Sequence, residues 1–166
     1  VLGLYELTRA ALPLLKKNGA AKVLQISSVS GLISFPFMGA YCASKHAVEA
    51  LSDAWRVELK KFGIQVVLIE PGPIATPIWN KSINESAVLD QKKEIVEEYQ
   101  PELNRFLGHV KKEAERAIPV ERDSELVVKV SKLKQAKARY TINGSRTLLR
   151  TLNLLPETLV DRFIRS

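Results

Sequence analysis

Residues 64–70, IQVVLIE, are the most constraining stretch of this 166-residue sequence, because they are almost continuously apolar and end at the turn-forming sequence PGPIATP. A strand with one face in water alternates apolar and polar residues, whereas an unbroken apolar run is typical of a strand covered on both faces in a parallel sheet. Shorter runs at 22–27 (KVLQIS) and 139–143 (RYTIN) predict two more strands. Helical patterns lie between the runs, so the sequence predicts an α/β fold with right-handed crossovers.

Two amphipathic helices are predicted beside the first two strands. In the helix at 2–17 the apolar residues with helical spacing are Leu4, Leu7, Ala11 and Leu14 or Leu15. In the helix at 41–62 they are Val48, Leu51, Trp55 and Leu59. Gly63, followed by an apolar residue, predicts a left-handed end to the second helix.

The second half of the sequence is more charged and predicts further helices. Residues 80–118 have a helical period and predict two helices separated near Pro101. A later helix at 123–135 is expected to begin with Asp123 or Ser124 as its N-cap.

The beginning of the chain indicates that a larger sheet is incomplete. With only three strands, the first strand would present a long apolar edge to water. The chain starts with Val1 rather than Met, and no capping residue precedes the first helical pattern. We therefore expect further strands before Val1, with residues 1–166 forming a single, partial domain.

Charge and composition narrow the class of protein. The net charge is +7, but the basic residues are scattered without interleaved aromatic residues, so no nucleic-acid partner is expected. No apolar run approaches the roughly 20 residues that span a bilayer. The single cysteine, Cys42, fits a reducing compartment, so a cytoplasmic location is expected, with a membrane-associated parent protein left open.

Tyr41 and Lys45 lie four residues apart in YCASKHAVEAL, so a helix would place them on one face. A free tyrosine has a pKa of about 10 and is a poor base at neutral pH. A cation within about 4–6 Å favours the phenolate. Such a pair is suited to exchanging a proton with an alcohol or carbonyl oxygen while hydride moves at the carbon. Alone, the same spacing also occurs between two unrelated surface residues.

Small polar residues follow the first two predicted strands. Ser27 and Ser28 end the first strand, and Pro71 to Thr76 follow the second. Ligands in parallel sheets bind beyond the carboxyl ends of the strands, where a serine can hold a substrate oxygen and a glycine admits a ligand to the backbone. The alternative is that both segments are simple turns with a helix cap.

The sequences ISSVSG, YCASK and PGPIATP together resemble the short-chain dehydrogenase/reductase family. Ser28 precedes Tyr41 by 13 residues, Tyr41 and Lys45 match the family's Tyr-x-x-x-Lys motif, and Pro71 follows Tyr41 by 30 residues. This resemblance implies a Rossmann-like parallel sheet with flanking helices, whose N-terminal strands are missing here.

The resemblance varies along the chain. It is strong from Val1 to about Thr76, weakens through 80–118, and returns in the helix at 123–135 and in ARYTIN. The tail, LLRTLNLLPETLVDRFI, is similar to members that act on hydroxysteroids, retinoids and 3-hydroxybutyrate. The implied division is a catalytic core at 1–79, a substrate lid at 80–118, and a C-terminal helix, last strand and tail at 119–166.

The resemblance also implies roles for individual residues. Tyr41 would be the acid/base, Lys45 would assist it and bind the nicotinamide ribose, and Ser28 would orient the substrate oxygen. The implied cofactor-binding residues are Tyr41, Lys45, Pro71, Gly72, Ile74 and Thr76. The implied substrate-binding residues are Ser28, Ser30, Phe37, Met38 and Trp79. The expected cofactor is NAD or NADP, and no metal is expected.

Expectations about substrate and partners follow from the same resemblance. The apolar residues 35–38, with Ile78 and Trp79, favour a hydrophobic alcohol or carbonyl compound, unless they are core residues. The helices at 2–17 and 41–62 would form a homodimer or homotetramer. The leucines and arginines of 146–155 leave open contact with a membrane interface or packing of the leucines over the substrate pocket or the sheet.

Two features of the family are absent from the sequence. There is no Thr-Gly-x-x-x-Gly-x-Gly turn to hold the pyrophosphate, and the family's asparagine would fall just before Val1. NAD and NADP stay equal alternatives, because the strands that distinguish them would precede Val1. The sequence therefore favours an NAD(P)-dependent oxidoreductase, interconverting an alcohol and a ketone or aldehyde, of which this chain is a fragment. The alternative is a non-catalytic, truncated module that acts only by dimerisation or partner binding.

Overall fold

A computed structural model describes residues 1–79 and 97–165. Its sheet has three parallel strands, β1 (Lys22–Ile26), β2 (Gln65–Pro71) and β5 (Arg139–Ile142), in the order β1-β2-β5. Two short strands, β3 (Ile74–Ala75) and β4 (Ile118–Pro119), form a separate parallel pair.

The helices follow the strands in the expected alternation. In chain order they are α1 (Leu2–Lys17), α2 (Gly39–Glu58), α3 (Gln100–Glu115), α4 (Val120–Lys132), α5 (Arg146–Leu152) and α6 (Glu157–Arg165). Two 3-10 turns lie at Val29–Gly31 and Lys60–Phe62. The predicted α/β fold, with a parallel sheet flanked by helices, is confirmed.

Both faces of the central strand β2 are covered, which accounts for its nearly continuous apolar sequence. Val66 packs with Trp55 and Leu59 on the face covered by α1 and α2, where Tyr5 and Trp55 stack with ring centres 5.6 Å apart. On the opposite face Val67 and Ile69 pack against Val130 of α4. Successive side chains of a strand point to opposite faces, so a strand covered twice cannot alternate with polar residues.

The buried side of α1 differs from the prediction. Leu7 and Leu14 are 73% and 70% exposed, whereas the sheet side carries Leu4, Leu12 and Leu15. The buried Thr8 faces β1, where its hydroxyl accepts a hydrogen bond of 3.0 Å from the Gln25 amide. Leu7 is therefore the predicted core residue that faces outward, whereas Leu15, predicted as the alternative to Leu14, packs on the sheet side.

The predicted start of α4 is also wrong. The helix follows Pro119 directly, because Ile118 and Pro119 are paired with β3 and the chain turns immediately after them. Ser124 is not the N-cap; its hydroxyl donates to the carbonyl of Val120 inside the helix.

Other boundaries shift by a few residues. Helix α2 begins at Gly39, before Tyr41, and its C-terminal end passes through a 3-10 turn into Gly63, whose φ of 71° confirms the left-handed end. Residues 97–98 are helical, Tyr99 is a turn and α3 begins at Gln100, so the break predicted near Pro101 lies two residues earlier; most of the first predicted helix of 80–118 lies outside the described residues. Within residues 1–79 and 97–165, none of the helices is both long enough and apolar enough to cross a membrane.

Candidate active site

Tyr41 lies in the first turn of α2, at the mouth of the loop that follows β1. Its side chain is 40% exposed, and its backbone carbonyl accepts a hydrogen bond of 2.7 Å from the Ser44 hydroxyl. Because the helix begins two residues earlier, at Gly39, the ring of Tyr41 is carried by a regular helical turn.

Lys45 lies one turn further along α2, on the same face. Its ammonium nitrogen is 5.7 Å from the centre of the Tyr41 ring and donates a 3.2 Å hydrogen bond to the carbonyl of Ile26, the last residue of β1. Burial lowers the pKa of Lys45 below its usual value of 10.5. An ammonium has three donors, so the bond to Ile26 uses one of them.

Ser28 links the ends of strands β1 and β2. Its buried hydroxyl accepts a 3.1 Å hydrogen bond from the backbone N–H of Ser30 and donates to the carbonyl of Pro71 at 3.4 Å. The bond from Ser30 caps the 3-10 turn that follows β1. The sequence placed Ser30 among the substrate-binding residues, and the structure gives it a backbone contact to Ser28.

The turn at Gly31 packs tightly against α2. A Cβ atom at Gly31 would lie 2.9 Å from the Ser27 hydroxyl oxygen, 3.0 Å from Cγ of Glu49 and 3.1 Å from the carbonyl oxygen of Lys45. Only glycine permits so close an approach. The segment that carries Ser28 is therefore held directly against the helical turn that carries Lys45.

The turn after β2 is held by the residue that follows β5. A Cβ atom at Gly72 would lie only 1.9 Å from the carbonyl oxygen of Asn143. Asn143 has a φ of 52°, and its side-chain amide donates to the carbonyl of Pro73 at 2.7 Å. The sequence analysis missed this role of Asn143. Its position between a strand and Gly144 was the available signal, since asparagine tolerates left-handed backbone better than most residues.

The remaining predicted cofactor-binding residues continue this turn. Pro71, Gly72, Ile74 and Thr76 are all partly buried. The indole N–H of Trp79 donates to the carbonyl of Ile74 at 2.6 Å, so this predicted substrate residue folds back on the turn.

The apolar loop before α2 contacts helix α3. Phe37 is 50% exposed, and its ring centre lies 5.5 Å from that of Phe106. Phe35 stacks on His109 at 6.2 Å. Phe37 has a φ of 61°, a strained conformation for a bulky residue, and it directly precedes Met38, the N-cap of α2. The loop that precedes α2 and helix α3 thus meet through two aromatic contacts.

A groove of about 430 Å³ lies elsewhere, among residues of β4, α4 and the end of β5. Its lining includes Ile118, Arg122 and Asn143. None of the side chains predicted to bind substrate lines it, so this groove is separate from the surface around Tyr41.

Comparisons with known proteins match the whole chain to one family. Residues 1–87 match the family model described as short chain dehydrogenase. The chain is 38% identical over 163 residues to the probable short-chain type dehydrogenase/reductase VdlC of Helicobacter pylori, covering 98% of the chain and 58% of that protein. It is 37% identical over 142 residues to the NADPH-dependent 3-dehydrocapnine reductase of Ornithobacterium rhinotracheale, covering 85% and 48%.

A solved structure has the same fold. A short-chain dehydrogenase from Streptomyces avermitilis superposes with a TM-score of 0.65 at 22% identity, covering 98% of this chain and 56% of that one. The chain spans about half the length of the relatives described here, between 48% and 58%. The family model covers more than half of the chain, and the chain belongs to the short-chain dehydrogenase/reductase family.

Proposed function

We propose that the protein containing this chain is an NAD(P)-dependent oxidoreductase that interconverts an alcohol and a ketone or aldehyde. The observation that carries this proposal is the placement of a half-buried ammonium, that of Lys45, 5.7 Å from the ring centre of the exposed Tyr41. A cation held beside a phenol stabilises the phenolate and makes the hydroxyl a competent proton donor and acceptor.

Each of the three predicted residues has a distinct part in this proposal. In alcohol oxidation the substrate hydroxyl would pass its proton to Tyr41 as the C–H bond gives up hydride, and reduction would reverse both transfers. Lys45 would stabilise the charge on the Tyr41 oxygen. Ser28 would exchange its long bond to Pro71 for a hydrogen bond to the substrate oxygen, which it would then hold beside Tyr41. In this proposal the residues of the chain transfer the proton and orient the substrate oxygen.

The donors at this edge of the sheet fit a nicotinamide cofactor. Two ammonium N–H groups of Lys45 beyond its bond to Ile26 suit ribose hydroxyls, and Thr76 offers a hydroxyl at the end of the turn that begins with Pro71. Ile74 would contribute through its backbone. When bound, the nicotinamide would supply or accept the hydride. One relative is named as NADPH-dependent, and we propose either NAD or NADP for this protein.

A hydrophobic substrate is favoured by the side chains around Tyr41. Phe37 and Met38 shortly precede Tyr41 in the chain; Phe37 is 50% exposed and Met38 partly exposed, and Ile78 after β3 is 57% exposed. Exposed apolar side chains grouped near a polar reacting group are typical of a ligand site. Helix α3, from the predicted lid region, contacts this loop through Phe106 and would cover such a substrate.

A second copy of the chain is the proposed partner. Leu7 and Leu14 on one side of α1, Leu2 at its start and Val57 of α2 are largely exposed. An apolar set on two neighbouring helices is suited to a symmetric helical interface.

The proposal is tested in the natural full-length protein with a panel of hydrophobic alcohols and ketones and both cofactors in both redox states. Tyr41→Phe should lower kcat by about 10²–10⁴-fold, since it removes one hydroxyl and little volume. Tyr99→Phe is the matched control, because Tyr99 is similarly exposed (48%) but lies at the start of α3. Undiminished turnover of Tyr41→Phe would overturn the role of Tyr41. An inactive parent that still dimerises would favour the non-catalytic module.

A further inference from the structure

A cluster of charged side chains connects the segments that carry the candidate site. It consists of Glu49 and Asp53 from α2, Glu70 from β2, Arg139 from β5 and Arg146 from the start of α5, and we refer to it as the charge cluster. The sequence analysis missed these residues, although Glu70 gave a signal as the single charged residue in an otherwise apolar strand.

Glu70 is the most deeply buried member, with no exposed surface. Its Oε1 atom lies 3.2 Å from Nε of Arg139 and 3.1 Å from Nε of Arg146. Its Oε2 atom accepts a 2.7 Å hydrogen bond from the hydroxyl of Thr141. A buried carboxylate is costly unless it is paired and hydrogen-bonded, and Glu70 is both.

Arg139 connects Glu70 to α2. Its Nε atom lies 3.1 Å from Oε2 of Glu49, and its Nη2 atom lies 2.6 Å from Oδ2 of Asp53. The side chain is only 15% exposed. The planar guanidinium therefore links two turns of α2 to the end of β2, a geometry that a lysine ammonium cannot reproduce.

The three acidic residues belong to the segments that carry the candidate site. Glu70 directly precedes Pro71, whose carbonyl accepts the hydrogen bond from Ser28. Glu49 lies one turn after Lys45, and its Cγ atom and the Lys45 carbonyl both pack against Gly31. The cluster is thus connected both to the helical turn of Lys45 and to the end of β2 at Pro71.

The charges in the cluster depend on one another. Burial raises the pKa of Glu49, and the neighbouring Glu70 adds to the rise, while Ser27 and Arg139 oppose it. Burial would also raise the pKa of Asp53, but hydrogen bonds from Arg139 and Arg56 outweigh it and lower that pKa. Arg139 is therefore the shared counter-charge for two carboxylates of α2 and one of β2.

We propose that Arg139, Glu49 and Glu70 are positioning residues, which hold the turn at Pro71 and Gly72 at a fixed distance from the helical turn of Lys45. The inference rests on the function proposed above, because it assigns these residues to the geometry of that site. They do not touch the reacting atoms. They act through the packing of Gly31 against Glu49 and the Lys45 carbonyl, and through Glu70, which directly precedes Pro71.

Arg139→Lys tests this proposal in the full-length protein, because it keeps the positive charge but removes the planar guanidinium that bonds several carboxylates at once. Arg56→Lys is the matched control: the same chemical change at an arginine bonded at 3.0 Å to the same Asp53, on the solvent side of α2. We expect Arg139→Lys to lower kcat per folded molecule by roughly 10–100-fold, with a smaller change in substrate KM, since misplaced reacting groups lose rate rather than affinity. Arg56→Lys should leave both within about twofold.

The folded fraction of each variant is measured by thermal unfolding, and kcat is determined well below the midpoint. A purely structural role predicts a lower midpoint with unchanged kcat per folded molecule, and that result would overturn the proposal. So would full kcat in Arg139→Lys at wild-type stability.

Amide hydrogen exchange of the same proteins gives a readout that needs no turnover. Peptides covering 27–31 and 70–74 should exchange faster in Arg139→Lys and at the wild-type rate in Arg56→Lys. Equal exchange in the two variants would overturn the positioning role. If the wild-type protein turns over none of the panel, the proposed function fails on its own, and the exchange data alone decide whether the cluster positions the turn.

Discussion

The ammonium nitrogen of Lys45 lies 5.7 Å from the centre of the Tyr41 ring and is tied by a 3.2 Å hydrogen bond to the carbonyl of Ile26. One lysine thus bridges the helix that carries the tyrosine and the end of the first strand. Two consequences follow for the dependence of the proposed activity on pH.

Lys45→Met should shift the rising limb of the pH profile of kcat/KM to higher pH. The methionine fills similar volume but removes the positive charge, so the phenolate form of the tyrosine becomes less favourable. Binding of cofactor should weaken as well. Lys61→Met is the control, because Lys61 also lies near an aromatic ring, 5.0 Å from the centre of Phe62, but in the 3-10 turn that follows α2. An unshifted profile would mean that Lys45 does not tune Tyr41.

Lys45→Arg should extend the proposed activity to more alkaline pH. Burial lowers the pKa of Lys45, so the wild-type ammonium loses its proton at a lower pH than an exposed lysine would. A guanidinium stays protonated throughout the accessible range. The falling limb of the pH profile should therefore move upward, with kcat below that of the wild type because the larger group disturbs the bond to Ile26. A falling limb at the wild-type position would show that Lys45 does not set it.

Gly72→Ala should destabilise the protein by about 3 kcal/mol, because the added Cβ would meet the carbonyl oxygen of Asn143 at 1.9 Å and backbone must move. Gly108→Ala is the control with the opposite sign. It lies inside α3 with nothing within 4 Å of an added Cβ, and should stabilise by about 0.5–1 kcal/mol. Urea unfolding of both variants measures the difference. Equal stabilities would contradict the close approach of the turn and Asn143.

The parts of this architecture that sequence reasoning predicted are those encoded locally. Tyr41 and Lys45 share one helical face, and the apolar run of β2 reports its burial on both sides. The charge cluster depends instead on which strands are neighbours: Arg139 is 90 residues from Glu49, and they meet only because β5 lies beside β2 with Leu68 opposite Arg139. This strand register cannot be predicted from any local pattern in the sequence. The exposed side of α1 depends in the same way on a contact between distant residues, since Thr8 turns inward to meet Gln25.

Asp53→Asn should reduce stability at neutral pH and have no effect in acid. The folded pKa of Asp53 is lowered, so its carboxylate stabilises the fold above the unfolded pKa of about 3.9, and this contribution is lost as pH falls through the folded pKa. Its side chain is 45% exposed, so we expect roughly 0.5–1 kcal/mol at pH 7. Unfolding free energies of wild type and variant should converge once the pH is below the folded pKa of Asp53. Glu6→Gln, at an exposed pair 3.8 Å from Arg9, should show no such convergence.

The exposed leucines of α1 predict the interface of a dimer. Leu7 and Leu14 lie two turns apart on one side of α1 and are 73% and 70% exposed, which leaves a strip of apolar surface on a helix that already packs against α2. Burying each leucine in a partner would contribute about 1.5–3 kcal/mol, and a glutamate at either position would instead bury a charge. Leu7→Glu combined with Leu14→Glu should therefore convert the full-length protein to a smaller species in light scattering after gel filtration. Val128→Glu in α4 combined with Leu154→Glu in the turn after α5 adds the same charge at residues 50% and 84% exposed, and should leave the mass unchanged. A wild-type monomer, or an unchanged mass in the α1 variant, would place the interface elsewhere or remove it.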